Sequence, residues 1–236
     1  MAGIVALTLS QNLSAILSQI SAAAAKSARR PEDITLISVT KNVAPEIVQQ
    51  VLDLGILNIG ENRVQEAVEK FAKLPQGLKF TRHMIGHLQK NKVGRALEIF
   101  DIIQSVDSVA LASEIEKKAT AKEREISILL EVNVAEDPSK FGFLPDALPR
   151  EIHRFAGFPH LQVEGLMTIA PLEKDMEKTR PHFRKLRELS ENIQSMNIPR
   201  VQMRHLSMGM SDDFPVAIEE GATMIRVGRA LFGERT

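Results

Sequence analysis

ITLISVTKNVAPEIVQQVLDLGILNIGEN (34–62) holds one full repeat of the fold. ITLISVT (34–40) is short and β-branched, the pattern of a strand buried on both faces. PEIVQQVLDLG (45–55) then spaces its apolar residues along one helix face, and a second strand opens near Ile56. Outward from this unit the pattern recurs. Strands begin near Ile34, Ile56, Phe80, Ile102 and Ile126, at intervals of 22 or 24 residues. Each interval holds a helical segment, such as NRVQEAVEKFAKL (62–74) or SVALASEIEKKATAKE (108–123). LQVEGLMTIA (161–170), RHLSMG (204–209) and TMIRVG (223–228) supply three more strands, with helices near 145–156, near 181–196 and after Asp213. Eight strands and eight helices, counting an N-terminal one, imply right-handed parallel βαβ units closing as an α/β fold, a single (β/α)8 TIM-type barrel. A doubly wound sheet would alternate too, but neither GxGxxG nor a Walker A sequence is present. The leucine-rich repeat has a similar period, but its L-x-x-L-x-L-x-x-N pattern does not recur.

Upstream, Thr8 or Ser10 is placed to cap a first helix over about 9–30, with Leu13, Ile16, Leu17, Ile20 and Ala24 on its apolar face and RRPED (29–33) ending it. No linker or low-complexity tract interrupts the chain, so residues 1–236 read as one domain. The apolar share is 44% and the charged share 25%, ordinary for a globular protein. Thirty basic and 30 acidic residues cancel, which argues against a nucleic-acid partner. The absence of Cys excludes disulfides, thiol nucleophiles and thiolate metal sites, and fits a reducing cytoplasm. The absence of Tyr and Trp removes any phenol acid or base. MAGIVALTLS (1–10) has no basic leader and no apolar run approaches ~20 residues, so neither a signal peptide nor a membrane partner is expected.

Barrel chemistry sits at the C-terminal ends of the strands. In order these ends are Thr40-Lys41-Asn42, Gly60-Glu61-Asn62, Ile85-Gly86-His87, Ser105-Val106-Asp107, Asn133-Val134, Met167-Thr168, Ser207-Met208-Gly209 and Arg226-Val227-Gly228. Lys41 shares a strand face with Thr35, Ile37 and Val39. Either it is a partly buried amine tuned to attack an aldehyde, or it is a strand-end lysine pointing to solvent. Arg226 lies among apolar neighbours and needs an acceptor: an ion pair with Glu131 or Glu164, or a bound ligand. HLSMGMS (205–211) and RVG (226–228) mark the seventh and eighth strand ends, where barrels often bind phosphate. There Ser207 offers a hydroxyl, and Gly209 and Gly228 allow close approach. His83 and His87 have a zinc-like spacing, but they continue a strand and lack a third ligand, so no metal is expected. Met167, Met203, Met208, Met210 and Met224 read as core filler.

An amine facing a phosphate site across a barrel mouth suggests pyridoxal phosphate (PLP). SVTKN (38–42), NIGENRVQEA (58–67), HMIGHLQKNK (83–92), QSVDS (104–108), NVAEDPSKFGF (133–143), EGLMTIAP (164–171), and HLSMGMSDDF through MIRVGRALFGER (205–235) cover nearly the whole chain in order. On these motifs the chain resembles the PLP homeostasis proteins, which share the barrel of the alanine racemase N-terminal domain. The resemblance implies that Lys41 forms the Schiff base and Asn62 lines the cofactor site. It implies that Ser207 and the backbone around Gly228 hold the phosphate, and that Arg226 faces the pyridine nitrogen. Ile85 and His87, on the third strand end, are taken as further lining. Arg229 follows RVG, where relatives often have a small residue; it either touches the phosphate or points out. Arg63 stands where relatives often have an aromatic. The resemblance also implies a monomer that binds and buffers PLP in vitamin B6 homeostasis without catalysing a reaction, its other partners being apoenzymes that take up the cofactor. Lys140, in DPSKFGF, is either a solvated loop lysine or a second amine capturing cofactor that leaves Lys41.

The alternative is a weak PLP-dependent amino-acid racemase. The racemases resembled pair a lysine base with a phenol and carry a further β-domain; this chain has no tyrosine and is expected to lack that domain, ending at Thr236. Lys41 and a histidine such as His87 would have to serve as the two bases. An arginine beside the pyridine nitrogen also disfavours its protonation and so weakens the ring as an electron sink, which weighs on transamination more than on racemisation, since the racemases resembled tolerate that arginine.

Overall fold

The computed structural model describes residues 2–233, with side chains from Thr8 onward. Eight parallel strands close into a barrel in chain order. They are β1 Thr35–Val39, β2 Asn58–Glu61, β3 Thr81–Met84, β4 Ile102–Val106, β5 Ile126–Glu131, β6 Leu161–Met167, β7 Val201–Ser207 and β8 Met224–Val227. The ring closes where β1 pairs with β8, Ile37 opposite Arg226. The helices are α1 Ala2–Lys26, α2 Pro45–Asp53, α3 Val64–Phe71, α4 Val93–Ile99, α5 Val109–Thr120, α6 Leu148–Glu151, α7 Arg180–Ser195, α8 Phe214–Glu219 and α9 Arg229–Phe232. The TIM-type barrel expected from the sequence is the observed fold.

Two apolar cores result. The larger lies between barrel and helices and takes residues such as Ile59, Ile103, Phe155 and Phe183. The smaller fills the barrel itself with Ile37, Leu129, Met167 and Met224. Ile37 therefore fixes which face of β1 looks inward, while Lys41 lies two residues past the strand, in the turn at its C-terminal end. Local chemistry starts several helices: Pro45 occupies the first turn of α2, where its missing N–H costs nothing, and the Ser108 hydroxyl accepts the Leu111 N–H at 3.2 Å to cap α5.

Four expectations need correction. Helix α1 spans Ala2–Lys26 rather than 9–30, so Thr8 and Ser10 lie inside it rather than at its start. It ends early because Ala28 takes the left-handed conformation (φ 53°) and the Arg29 N–H reaches back to the Ala24 carbonyl at 2.9 Å. That is a C-terminal cap usually built on glycine, so nothing in the sequence announces it. Leu17 is 48% exposed, and Leu9 and Ala23 take its place on the buried face. The helix expected at 145–156 is one α-turn followed by a 3-10 segment, Ile152–Gly157. Strand β7 starts at Val201, three residues before expectation, because its outer half is only partly buried and shows no clean apolar period. Among the described residues there are nine α-helices rather than eight, α9 being the addition. No helix among them is long and apolar enough to cross a membrane.

Candidate functional site

A cavity of about 570 Å³ opens at the C-terminal ends of the strands on the β1–β3 and β6–β8 side of the mouth. Lys41 and Asn62 follow β1 and β2, Ile85 follows β3, and Ile169 and Leu172 follow β6. Met210, Ser211 and Asp212 follow β7, while Arg226, Gly228 and Arg229 come from β8 and the start of α9. Six of the eight residues singled out from the sequence thus share one cavity: Lys41, Asn62, Ile85, Arg226, Gly228 and Arg229. Ser207 and His87 are not among its lining. Lys41 is exposed rather than partly buried, and it lines the cavity.

Ser207 is fully buried inside the barrel, where it holds Arg226. Arg226 donates from Nη1 to the Ser207 hydroxyl at 2.7 Å and from Nη2 to the Thr168 carbonyl at 2.7 Å. The Ser207 hydroxyl donates to Gln104 Oε1 at 2.6 Å, and Gln104 Nε2 lies 3.0 Å from His83 Nδ1. His83 Nε2 lies 3.0 Å from Asn58 Oδ1. Since Gln104 Nε2 can only donate, Nδ1 must accept, and the proton of His83 sits on Nε2. Every bond of the chain then points the same way, away from the guanidinium. Burial pushes His83 down to about 4, so it is neutral and can accept from Gln104. Burial also lowers Arg226 to about 10, while Asp213 and Glu131 pull it back up; it stays charged at neutral pH. The ion pairs with Glu131 or Glu164 considered for Arg226 do not form. Its acceptors are neutral oxygens, and Glu164 pairs with Arg204 instead.

The hydroxyl that does line the cavity is Ser211. Ser211 Oγ accepts from the Ala230 N–H at 3.1 Å and from the Gly228 N–H at 3.4 Å, linking the β7 loop to the β8 end. The loop reaches it through Gly209 (φ 91°), where a Cβ would fall 2.6 Å from Ala217 Cβ. Gly209 is thus required by its backbone and by α8 packing, not by ligand approach. Asp213 Oδ1 accepts the Met210 N–H at 2.6 Å and closes the turn. Arg229 bonds Asp212 at the rim. The sequence reading missed Ser211, Met210 and Asp212. The second serine of SMGMS, two residues past a glycine turn, was the available signal for the first.

On the other half of the mouth the side chains engage one another. The His87 ring stacks on Phe141 with centroids 3.8 Å apart, and its Nδ1 lies 3.1 Å from Asp107 Oδ2. Glu131, at the end of β5, is pushed up to about 7 by burial, with Asp107 adding repulsion and Arg226 opposing it. Lys140 is exposed in its loop and does not line the cavity; Arg63 is exposed at the start of α3. Among the described residues no group of three His, Cys, Asp or Glu could hold a metal ion.

Comparison with known proteins adds a separate line of evidence. The model of the alanine racemase N-terminal domain matches residues 11–236. The PLP homeostasis protein of Aquifex aeolicus is 41% identical, over 95% of this chain and 97% of its own. That of Escherichia coli K12 is 32% identical, over 96% and 97%. PipY of Synechococcus elongatus PCC7942, solved with PLP bound, superposes with a TM-score of 0.84 at 36% identity, covering 95% of this chain and all of PipY. A Clostridium difficile alanine racemase shares the fold, with a TM-score of 0.75 at 17% identity over 97% of this chain and 57% of its own.

Proposed function

The chain belongs to the PLP homeostasis protein family, and on that premise we propose that it binds pyridoxal 5′-phosphate as a Schiff base on Lys41 and serves cytoplasmic vitamin B6 homeostasis as a monomer that catalyses no reaction. The observation that carries this is the joint placement of an amine, a buried guanidinium, a hydroxyl and a glycine N–H around one cavity. Its volume lies within the range of small-molecule sites. The donor set suits the group: an amine for an aldehyde, and N–H and O–H donors with Arg229 for a dianionic phosphate. When bound, the cofactor supplies an aldehyde that amines capture reversibly. Lys41 would hold that aldehyde through its amine, the aldehyde oxygen leaving with the two amine protons as water. Ser211, Gly228 and Arg229 form the phosphate side in place of Ser207, which is committed to Arg226. Arg226, charged and held by neutral acceptors, disfavours protonation of the pyridine nitrogen. Asn62 and Ile85, which line the same cavity, would flank the ring.

The racemase alternative loses its second base: His87 lies off the cavity lining, engaged by Asp107 and Phe141. Buffering and hand-over to apoenzymes fit an exposed Lys41 at an open mouth. The test is an absorbance spectrum of purified protein with excess PLP. A visible Schiff-base band absent from Lys41→Ala is expected; a band that persists in the variant would refute the assignment.

A further inference from the structure

We propose that Lys70 is a positioning residue for Lys41, acting through a buried ion cluster that ties down the peptide groups on either side of it. The inference rests on Lys41 being the cofactor-bearing lysine. Lys70 Nζ donates to the Thr40 carbonyl at 2.5 Å, to Glu61 Oε1 at 2.5 Å and to Glu66 Oε1 at 2.9 Å. The Thr40 hydroxyl donates to the same Glu61 oxygen at 2.6 Å, and the Asn42 N–H donates to Glu66 Oε1 at 2.5 Å. The residue before Lys41 is therefore held by its carbonyl and its hydroxyl, and the residue after it by its amide.

Two of its three charged members are hidden, and Glu66 is partly open to water. The side chains of Lys70 and Glu61 are 5% and 0% exposed. Glu66 and Lys70 sit one turn apart on α3, facing the end of β2 that supplies Glu61. Burying an ammonium against carboxylates carries a desolvation penalty, and apolar residues of the same volume often hold a fold as well or better. Stability alone does not account for it, and the second oxygen of Glu61 is left buried without a partner. What the ion cluster does that apolar packing cannot is bond polar backbone atoms of the Lys41 turn. That turn is demanding: Asn42 is left-handed (φ 56°), and the Val43 N–H returns to the Thr40 carbonyl at 3.0 Å. Lys41 lies between these two tethered residues, so the cluster fixes where its side chain leaves the backbone. Displacing a reacting group by about 1 Å slows capture by up to ~100-fold.

The test compares the parent protein with Lys70→Met and with Lys70→Met combined with Glu61→Gln, in which the one remaining carboxylate, Glu66, is partly open to water and keeps the Asn42 N–H. Three quantities are read on the full chain: the rate of Schiff-base formation with PLP, the affinity for 4′-deoxypyridoxine 5′-phosphate, which lacks the aldehyde, and Asn42 amide hydrogen exchange without cofactor. We expect the double variant to form the Schiff base about tenfold or more slowly, to bind the aldehyde-free compound within about twofold of the parent, and to exchange the Asn42 amide roughly fivefold faster, because the turn opens more easily once the Lys70 bond to the Thr40 carbonyl is gone. Equal rates of Schiff-base formation in parent and double variant would overturn the inference alone. So would a parallel fall in affinity for the aldehyde-free compound, which marks a merely structural role. A parent that forms no Schiff base would overturn this inference and the Lys41 assignment together.

Discussion

Replacing Glu131 by Gln should reveal an acid dependence of stability that the parent protein masks. Burial lifts the Glu131 carboxyl from its ordinary 4.5 to about 7. A carboxyl with a higher pKa folded than unfolded contributes stability that is fully present below 4.5 and lost as pH rises through about 7. The shift corresponds to about 3 kcal/mol; because water reaches part of the side chain, about 2 kcal/mol is the working figure. His83 runs the other way: burial lowers it from 6.5 to about 4, so its contribution is present above 6.5 and lost as pH falls through about 4. Between about pH 7 and pH 5 the two slopes oppose each other at about 2 kcal/mol each. Gln keeps the shape of Glu131 and removes its titration. Urea unfolding of the cofactor-free parent and variant, followed by circular dichroism across this range, reads the effect. The variant should be about 2 kcal/mol more stable than the parent near pH 7 and should lose that advantage near pH 5. Taking the difference between the two proteins cancels most other titrations. A difference that does not change with pH would refute the reasoning.

Three further outcomes follow from the same geometry. Gly86→Ala would place a Cβ 2.4 Å from the Asn62 carbonyl oxygen and 2.7 Å from its Cα. It should destabilise the protein by roughly 1–3 kcal/mol and weaken PLP retention, both readable by thermal unfolding with and without PLP. Gln104→Leu strips Ser207 of its acceptor and His83 of its donor; a loss of roughly 1–3 kcal/mol in urea is expected, and an unchanged midpoint would show that the chain of bonds behind Arg226 contributes nothing. In deuterium oxide with PLP and an L-amino acid, incorporation at the α-position should not exceed that given by free PLP; exchange abolished by Lys41→Ala would restore the racemase reading.

The barrel was legible because burial on both faces leaves a short apolar signature in most strands, and because the first five strands recur at near-constant spacing, with helical segments between them. The candidates at the strand ends were legible for the same reason: once the strands are located, topology carries Lys41, Asn62, Arg226 and Gly228 to one rim. Composition removed the thiol and phenol chemistries outright, since no neighbour can supply an absent side chain. What the chain order could not disclose was which of two nearby groups faces the ligand. Ser207 and Ser211 are four residues apart and equally polar; the direction of β7 and the turn at Gly209 put one inside the barrel and the other at the mouth. The partners of Arg226 were equally hidden, because Ser207, Gln104 and His83 come from three strands and meet only when the barrel closes. Likewise Lys70 reads as one more charged residue on an amphipathic helix, until α3 packs against β2 and turns it under the Lys41 loop. Periodicity records whether a residue faces a core, but the identity of its neighbour there depends on contacts between segments far apart in the chain, and those exist only in the folded barrel.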